Sequence, residues 1–172
     1  MQRAFLLTLL VLTTLFSALL PVAAEAPKLL GSFNTWDAFS YREKGSKVCY
    51  IVSSPQDSEP KNVRRGDIYA MVTHRPADKV AGEVSVVAGY PYKEGSEVGV
   101  VIGADKYALF TAGENAWTRE VKDDKALVRA MIRGVTMIVR GTSSRGTLTI
   151  DTYSLRGFTA AHEAIGVACK VK

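Results

Sequence analysis

The chain has 172 residues, 47% of them hydrophobic and 23% charged, a balance that supports a packed core and excludes disordered, collagen-like and low-complexity classes. Its formal net charge of +5 is mild and falls well short of a dedicated nucleic-acid binder. The two cysteines alone cannot close a four-ligand zinc site, and His74 and His162 add little material for a transition-metal centre.

Residues 1–24 read as an export signal. One cation, Arg3, precedes an apolar run from Ala4 to Leu20, Pro21 breaks it, and Val22-Ala23-Ala24 places small residues where a signal peptidase cuts. The mature chain is expected to begin at Glu25 and to form a single domain over 25–172, located in the periplasm, secreted or held at the surface. The competing reading is an uncleaved anchor, although the run is only just long enough to span a hydrocarbon core. In an oxidising compartment an even cysteine count favours an intramolecular bridge, so Cys49 and Cys169 are expected to form a disulfide rather than two buried thiols or a redox couple. Such a bridge closes most of the domain into one loop, which the chain-entropy model values at about 5 kcal/mol as an upper figure.

After a polar lead-in, apolar residues recur with period two. Trp36 to Tyr41, Lys47 to Ser53, Asp67 to Arg75, Glu83 to Ala88, Glu97 to Ile102, Lys106 to Thr111, Val135 to Arg140 and Thr147 to Tyr153 read as strands punctuated by turn residues. About eight short strands predict a mainly β domain, an antiparallel β-sandwich or flattened barrel, with two short helices. The first helix spans Asp123 to Gly134: Leu127/Met131 and Val128/Ile132 stack on one face and Lys125, Arg129 and Arg133 on another. Asp123 and Asp124 suit its amino end, and Gly134 is read as a left-handed stop. The second spans Thr159 to Cys169, with Thr159 as cap and Ala161, Ile165 and Ala168 facing inward, so that the disulfide clamps it onto the strand carrying Cys49.

Residues with chemical potential are few. His162-Glu163 opens like a zinc-protease helix, but Gly166 stands where the second histidine is needed. Gly141 to Gly146 resembles a nucleophile elbow, yet Arg145 occupies the place of its second glycine. His74, in phase with Ile68 and Val72, reads as a buried histidine bonded to backbone, and as a general base it lacks a visible partner. Asp151 reads as a solvated strand carboxylate or turn acceptor. No phosphate-cradling or calcium-binding loop is present, and no cofactor is expected. Lys61, Arg64, Arg65, Arg145 and Arg156 concentrate in predicted connections. They are read either as ordinary solvated loop charge or as an anion-binding rim for sulfated glycans, lipid phosphates or an acidic protein. Tyr90-Pro91-Tyr92 is either an exposed aromatic contact or a turn whose rings cover the sandwich edge.

From about Trp36 to Cys169 the sequence resembles the invasion-associated locus B family of exported bacterial proteins. The resemblance rests on Lys47-Val48-Cys49-Tyr50, Arg64-Arg65-Gly66-Asp67, Glu83-Val84-Ser85, Gly89-Tyr90-Pro91-Tyr92-Lys93, Ala116-Trp117, Gly141 through Thr147 and Asp151 through Thr159. It implies a periplasmic, surface-associated or secreted β-sandwich, with a host-cell invasion role attributed to the founding member, and it carries over no catalytic residue or cofactor.

The leading expectation is an exported, non-enzymatic binding or envelope module that contacts a protein, glycan or lipid partner, an acidic one if the cationic rim forms, and not nucleic acid. One rival is a hydrolase using His74 or His162, which requires a concave site bringing one of them to Ser143, Ser144 or Asp151. The other is a structural envelope protein that self-associates or binds the membrane periphery through a strand edge or apolar patch.

Overall fold

The computed structural model describes residues 26–171, so the export segment expected at 1–24 and its cleavage point before Glu25 lie outside the described residues. Eleven strands are present among the described residues: β1 (Lys28–Phe33), β2 (Trp36–Glu43), β3 (Ser46–Ser53), β4 (Asp57–Glu59), β5 (Tyr69–Arg75), β6 (Val80–Val87), β7 (Glu97–Ile102), β8 (Asp105–Ala112), β9 (Asn115–Trp117), β10 (Thr136–Thr142) and β11 (Leu148–Ser154). The helices are α1 (Val121–Arg133) and α2 (Phe158–Cys169). Among these residues no helix is long and apolar enough to cross a membrane.

The strands pair antiparallel in the order β1-β2-β3-β5-β6-β9-β8-β7-β10-β11-β4. Short β9 joins two halves, since Trp117 pairs with Ser85 of β6 on one side and Phe110 of β8 on the other. Although β2 and β11 stand near opposite ends of that order, the Trp36 indole N–H donates to the Ser154 carbonyl at 2.9 Å and the Thr35 hydroxyl donates to the same oxygen at 3.2 Å. The sheet therefore folds over on itself into a sandwich-like pair of layers, as the mainly β reading expects.

All eight expected strands are found. The three additional ones carry little periodic signal: β4 is Asp-Ser-Glu, β9 is Asn-Ala-Trp, and β1 breaks its pairing register between Leu29 and Gly31. Helix α2 begins at Phe158, one residue before the expected start, and its cap position is Gly157 in the left-handed region at φ 90° rather than Thr159. A β-carbon on Gly157 would collide with the Phe33 carbonyl oxygen, so only glycine lets the chain turn from β11 into α2 against β1.

Two details of α1 differ from expectation. Gly134 is extended (φ −82°, ψ 166°), not left-handed. Ile132 points outward, because the buried stripe comprises Leu127, Val128, Ala130 and Met131. Asp123 and Asp124 do stand in the first turn as expected, but Asp124 also does more: it is buried and accepts the Val84 backbone N–H at 2.8 Å, docking the helix on β6, and burial raises its carboxyl pKa.

Helix α2 covers the face of β2 and β3 that carries Trp36, Ala38, Cys49 and Ile51. Phe158 meets Trp36 edge-on with ring centroids 5.0 Å apart, and Ala161, Ile165 and Cys169 face inward. Cys49 and Cys169 are disulfide-bonded with Cα atoms 6.0 Å apart. The bridge fastens the carboxyl-terminal helix to the sheet and closes a 120-residue separation, which constrains the unfolded chain. Replacing both cysteines with serine should lower unfolding free energy by about 2–5 kcal/mol in denaturant titration. An unchanged midpoint would show that packing alone holds α2.

Candidate functional site

Three connections meet at one end of the sandwich: the segment from Lys61 to Asp67 between β4 and β5, the turn Gly89 to Lys93 after β6, and the β10–β11 hairpin around Ser143 to Thr147. Backbone hydrogen bonds lace them together. Gly66 N–H donates to Gly89 O at 2.8 Å, Ser144 N–H to Pro91 O at 2.8 Å, and Lys93 N–H to Thr142 O at 2.9 Å, while Tyr92 and Ser143 form an isolated antiparallel bridge. Because each contact ties one connection to another, the surface is held in a fixed shape.

Beneath it lies Arg65. Both terminal guanidinium nitrogens donate to the two Asp151 carboxylate oxygens at 2.7 Å, and Nε donates to the Ala88 carbonyl at 2.9 Å. The side chains are only 6% and 3% exposed. The Arg65 guanidinium also lies 5.0 Å from the centre of the Tyr90 ring, whose hydroxyl is hydrogen-bonded to Thr149. Arg65 is thus a buried structural cation, not solvated loop charge, and Asp151 is a buried counter-ion rather than the solvated carboxylate expected. Tyr92 is buried against Tyr90, edge to face at 5.3 Å, and is not an exposed contact; burial raises the pKa of both phenols.

Above this floor is an open groove of about 420 Å³. Arg64 and Arg145 line it with Asn62, Tyr90, Pro91 and Ser144, and Glu114 is its one acidic lining residue. Arg64 and Arg145 are exposed, and among the described residues neither forms an ion pair. The structure thus brings Arg64, Arg65, Tyr90 and Arg145 together, with Tyr92 packed behind them. It does not bring the other two cations. Lys61 is paired with Asp57 of β4 and lines a neighbouring depression. Arg156 follows the far end of β11, where its carbonyl accepts the Thr35 hydroxyl at 3.2 Å. Sequence reasoning missed Asn62 and Glu114, which carry no pattern of their own, and the Arg65–Asp151 pairing, which joins residues 86 positions apart.

The structure does not bring His74 or His162 to Ser143, Ser144 or Asp151. Ser143 Oγ accepts the Thr147 N–H at 3.1 Å and lies in the groove, and Asp151 is committed to Arg65. Both histidines line a different cavity, beside Lys125 and Arg129. Among the described residues no group of three or more His, Cys, Asp or Glu side chains could hold a metal ion.

The three connections are also where several sequence segments that carry the family resemblance converge: Arg64 to Asp67, Gly89 to Lys93, and Gly141 to Thr147. A family model described as invasion associated locus B (IalB) protein matches residues 36–166. The chain belongs to the invasion associated locus B family. The fold of this IalB-family chain is similar to the crystal structure of invasion associated protein B from Bartonella henselae, with a TM-score of 0.58 and 17% identity over 81% of this chain and 96% of that one. No curated relative matches the IalB-family chain.

Asp151→Ala leaves Arg65 without its counter-ion in a site closed to water and should cost about 3–5 kcal/mol in denaturant titration, whereas Arg64→Ala should change stability by under about 0.5 kcal/mol. His74 is buried, with its pKa lowered to about 4 chiefly by burial and secondarily by His162. The unfolded state therefore binds protons more readily than the folded state between pH 6.5 and 4. Stability should be fully present above pH 6.5 and fall by about 3 kcal/mol as pH drops toward 4. His74→Asn should flatten that slope, and equal slopes in the two proteins would remove His74 as its source.

Proposed function

We propose that this IalB-family protein is an exported, non-enzymatic binding module of the bacterial envelope that receives an acidic partner on the groove rimmed by Arg64 and Arg145. The observation that carries the reading is the division of labour among three arginines. Arg65 is neutralised by Asp151 and fixes the floor, while Arg64 and Arg145 stand exposed on the rim without carboxylate partners among the described residues. Two arginines facing a preformed concavity favour bidentate recognition of carboxylate, sulfate or phosphate groups. Tyr90 and Pro91 supply an apolar wall, and Asn62 and Ser144 supply neutral hydrogen-bonding groups. Export is supported by the charge, apolar run and small-residue exit of residues 1–24, and the disulfide suits an oxidising compartment.

Heparin, a sulfated polyanion, serves as the probe. The purified chain should bind it at low salt and weaken steeply toward physiological ionic strength, where exposed charges are screened over about 8 Å. Arg64→Glu/Arg145→Glu should lose tenfold or more of that binding with the fold intact by circular dichroism. Arg156→Glu, at the far end of β11, should bind as the parent does. Binding indifferent to salt, or equal loss in the Arg156 variant, would overturn the assignment to this groove.

A further inference from the structure

A second concavity lies where α1 and α2 meet the β5–β6 pair, on residues the groove does not use. Thr73 pairs with Glu83, but His74 pairs with Ala81, so Gly82 is an extra residue on β6. Its φ of +81° makes this a glycine-dependent β-bulge, which takes an N–H out of the ladder. That N–H is not wasted: Gly82 N donates to His74 Nδ1 at 2.9 Å.

The bond fixes the chemistry of the ring. Because Nδ1 accepts, the proton of the neutral imidazole resides on Nε2, which must act as a donor. His74 is 2% exposed, and Nε2 has no partner among the described residues. A metal ion on Nε2 would force the proton to Nδ1, against the Gly82 N–H, so metal binding is the wrong reading. A buried donor without an acceptor is rare in folded proteins, and here the His74 ring packs edge to face with the His162 ring, centroids 5.3 Å apart.

His74 lines a cavity of about 250 Å³ together with His162, Ala81, Val128 and Val171, and Lys125 and Arg129 complete the lining. The two cations are four residues apart on α1, so they stack on one face. Both are exposed, and neither forms an ion pair among the described residues. Among the described residues no carboxylate lines the cavity. Glu163, beside His162, is exposed, and Asp124 is turned to the Val84 N–H. Burial lowers the pKa of both imidazoles, so each is neutral at pH 7 and leaves the positive charge to Lys125 and Arg129.

We propose that this cavity binds a small carboxylate with an apolar body, its acid group held by Lys125 and Arg129 and its body lying against Val128, Val171 and Ala81 over the two imidazoles. The site is independent of the groove, so the two assignments stand or fall separately. The ligand class follows from complementarity: the ionisable lining offers donors and cations, and the remaining wall is apolar.

Benzoate is the probe and benzyl alcohol its uncharged counterpart, each titrated into the isotope-labelled full chain and followed by amide resonances. Benzoate should give saturable shifts at Ala81, Gly82, Val128 and Val171, and benzyl alcohol should bind at least tenfold more weakly. Lys125→Gln/Arg129→Gln, which changes only exposed positions, should weaken benzoate tenfold or more. Arg64→Glu/Arg145→Glu should leave it unchanged. Val128→Phe, which fills the cavity, should abolish the shifts while the remaining spectrum stays dispersed. The proposal is overturned by the absence of saturable shifts at benzoate up to about 10 mM, a concentration that detects even millimolar affinity. Equal binding of the alcohol, or full benzoate affinity in the Lys125/Arg129 variant, would overturn it as well.

Discussion

The ion pair between Arg65 and Asp151 ties a connection to a strand contributed from much later in the chain, and the geometry of the groove depends on it. Removing two charges from water is costly, and their mutual attraction offsets that cost only when the remaining donors and acceptors are satisfied. Here the carboxylate receives two parallel donors, and the third guanidinium nitrogen is satisfied by the Ala88 carbonyl. An apolar pair of similar volume could have filled the space at less electrostatic cost, but it could not have specified the orientation of the connection. The planar fork fixes where Arg65 lies, Arg65 fixes the Tyr90 ring, and the neighbouring residue Arg64 is thereby presented at the rim.

The opposite constraint operates through apolar contacts. Trp36 donates its indole N–H to Ser154 and receives the edge of Phe158, so one side chain links β2, β11 and α2. Burying a large side chain of this kind contributes roughly 1.5–3 kcal/mol, more than any exposed loop charge. The disulfide then restrains the same helix at its other end. Rigidity from these fastenings lets the connections at the groove end carry irregular backbone without loosening the layers beneath them.

Much of this was legible in the sequence. Period-two alternation located eight strands, the four-residue spacing of Leu127/Met131 located α1, and cysteine parity paired Cys49 with Cys169. What was not legible was the phase of β11. Leu148 and Ile150 mark the apolar face by composition, yet Leu148 is 57% exposed while Thr149, Asp151 and Tyr153 are buried. Alternation reveals that a strand has two faces, and composition identifies the inner one only when the core is apolar. A strand whose inward side meets an arginine inverts the rule, and nothing within β11 announces a partner 86 residues earlier in the chain. The short strands β4 and β9 escaped for a simpler reason, since three residues cannot display a period.

Net charge likewise gives little guide to where this protein meets other molecules, because the informative quantity is the charge left after internal pairing. Lys61 is answered by Asp57, Arg65 by Asp151, Arg75 by Glu83 and Arg119 by Glu97. Arg64 and Arg145, and separately Lys125 and Arg129, remain without carboxylate partners among the described residues and gather in two places that are also concave. An isolated surface cation is stabilised by water and has no preference for a ligand. Two of them beside a fixed depression share one screened volume, where an anion gains both attractions while little side-chain or loop ordering is left to oppose it. The fold commits Arg65 to the interior and leaves Arg64 and Arg145, and separately Lys125 and Arg129, exposed beside two depressions.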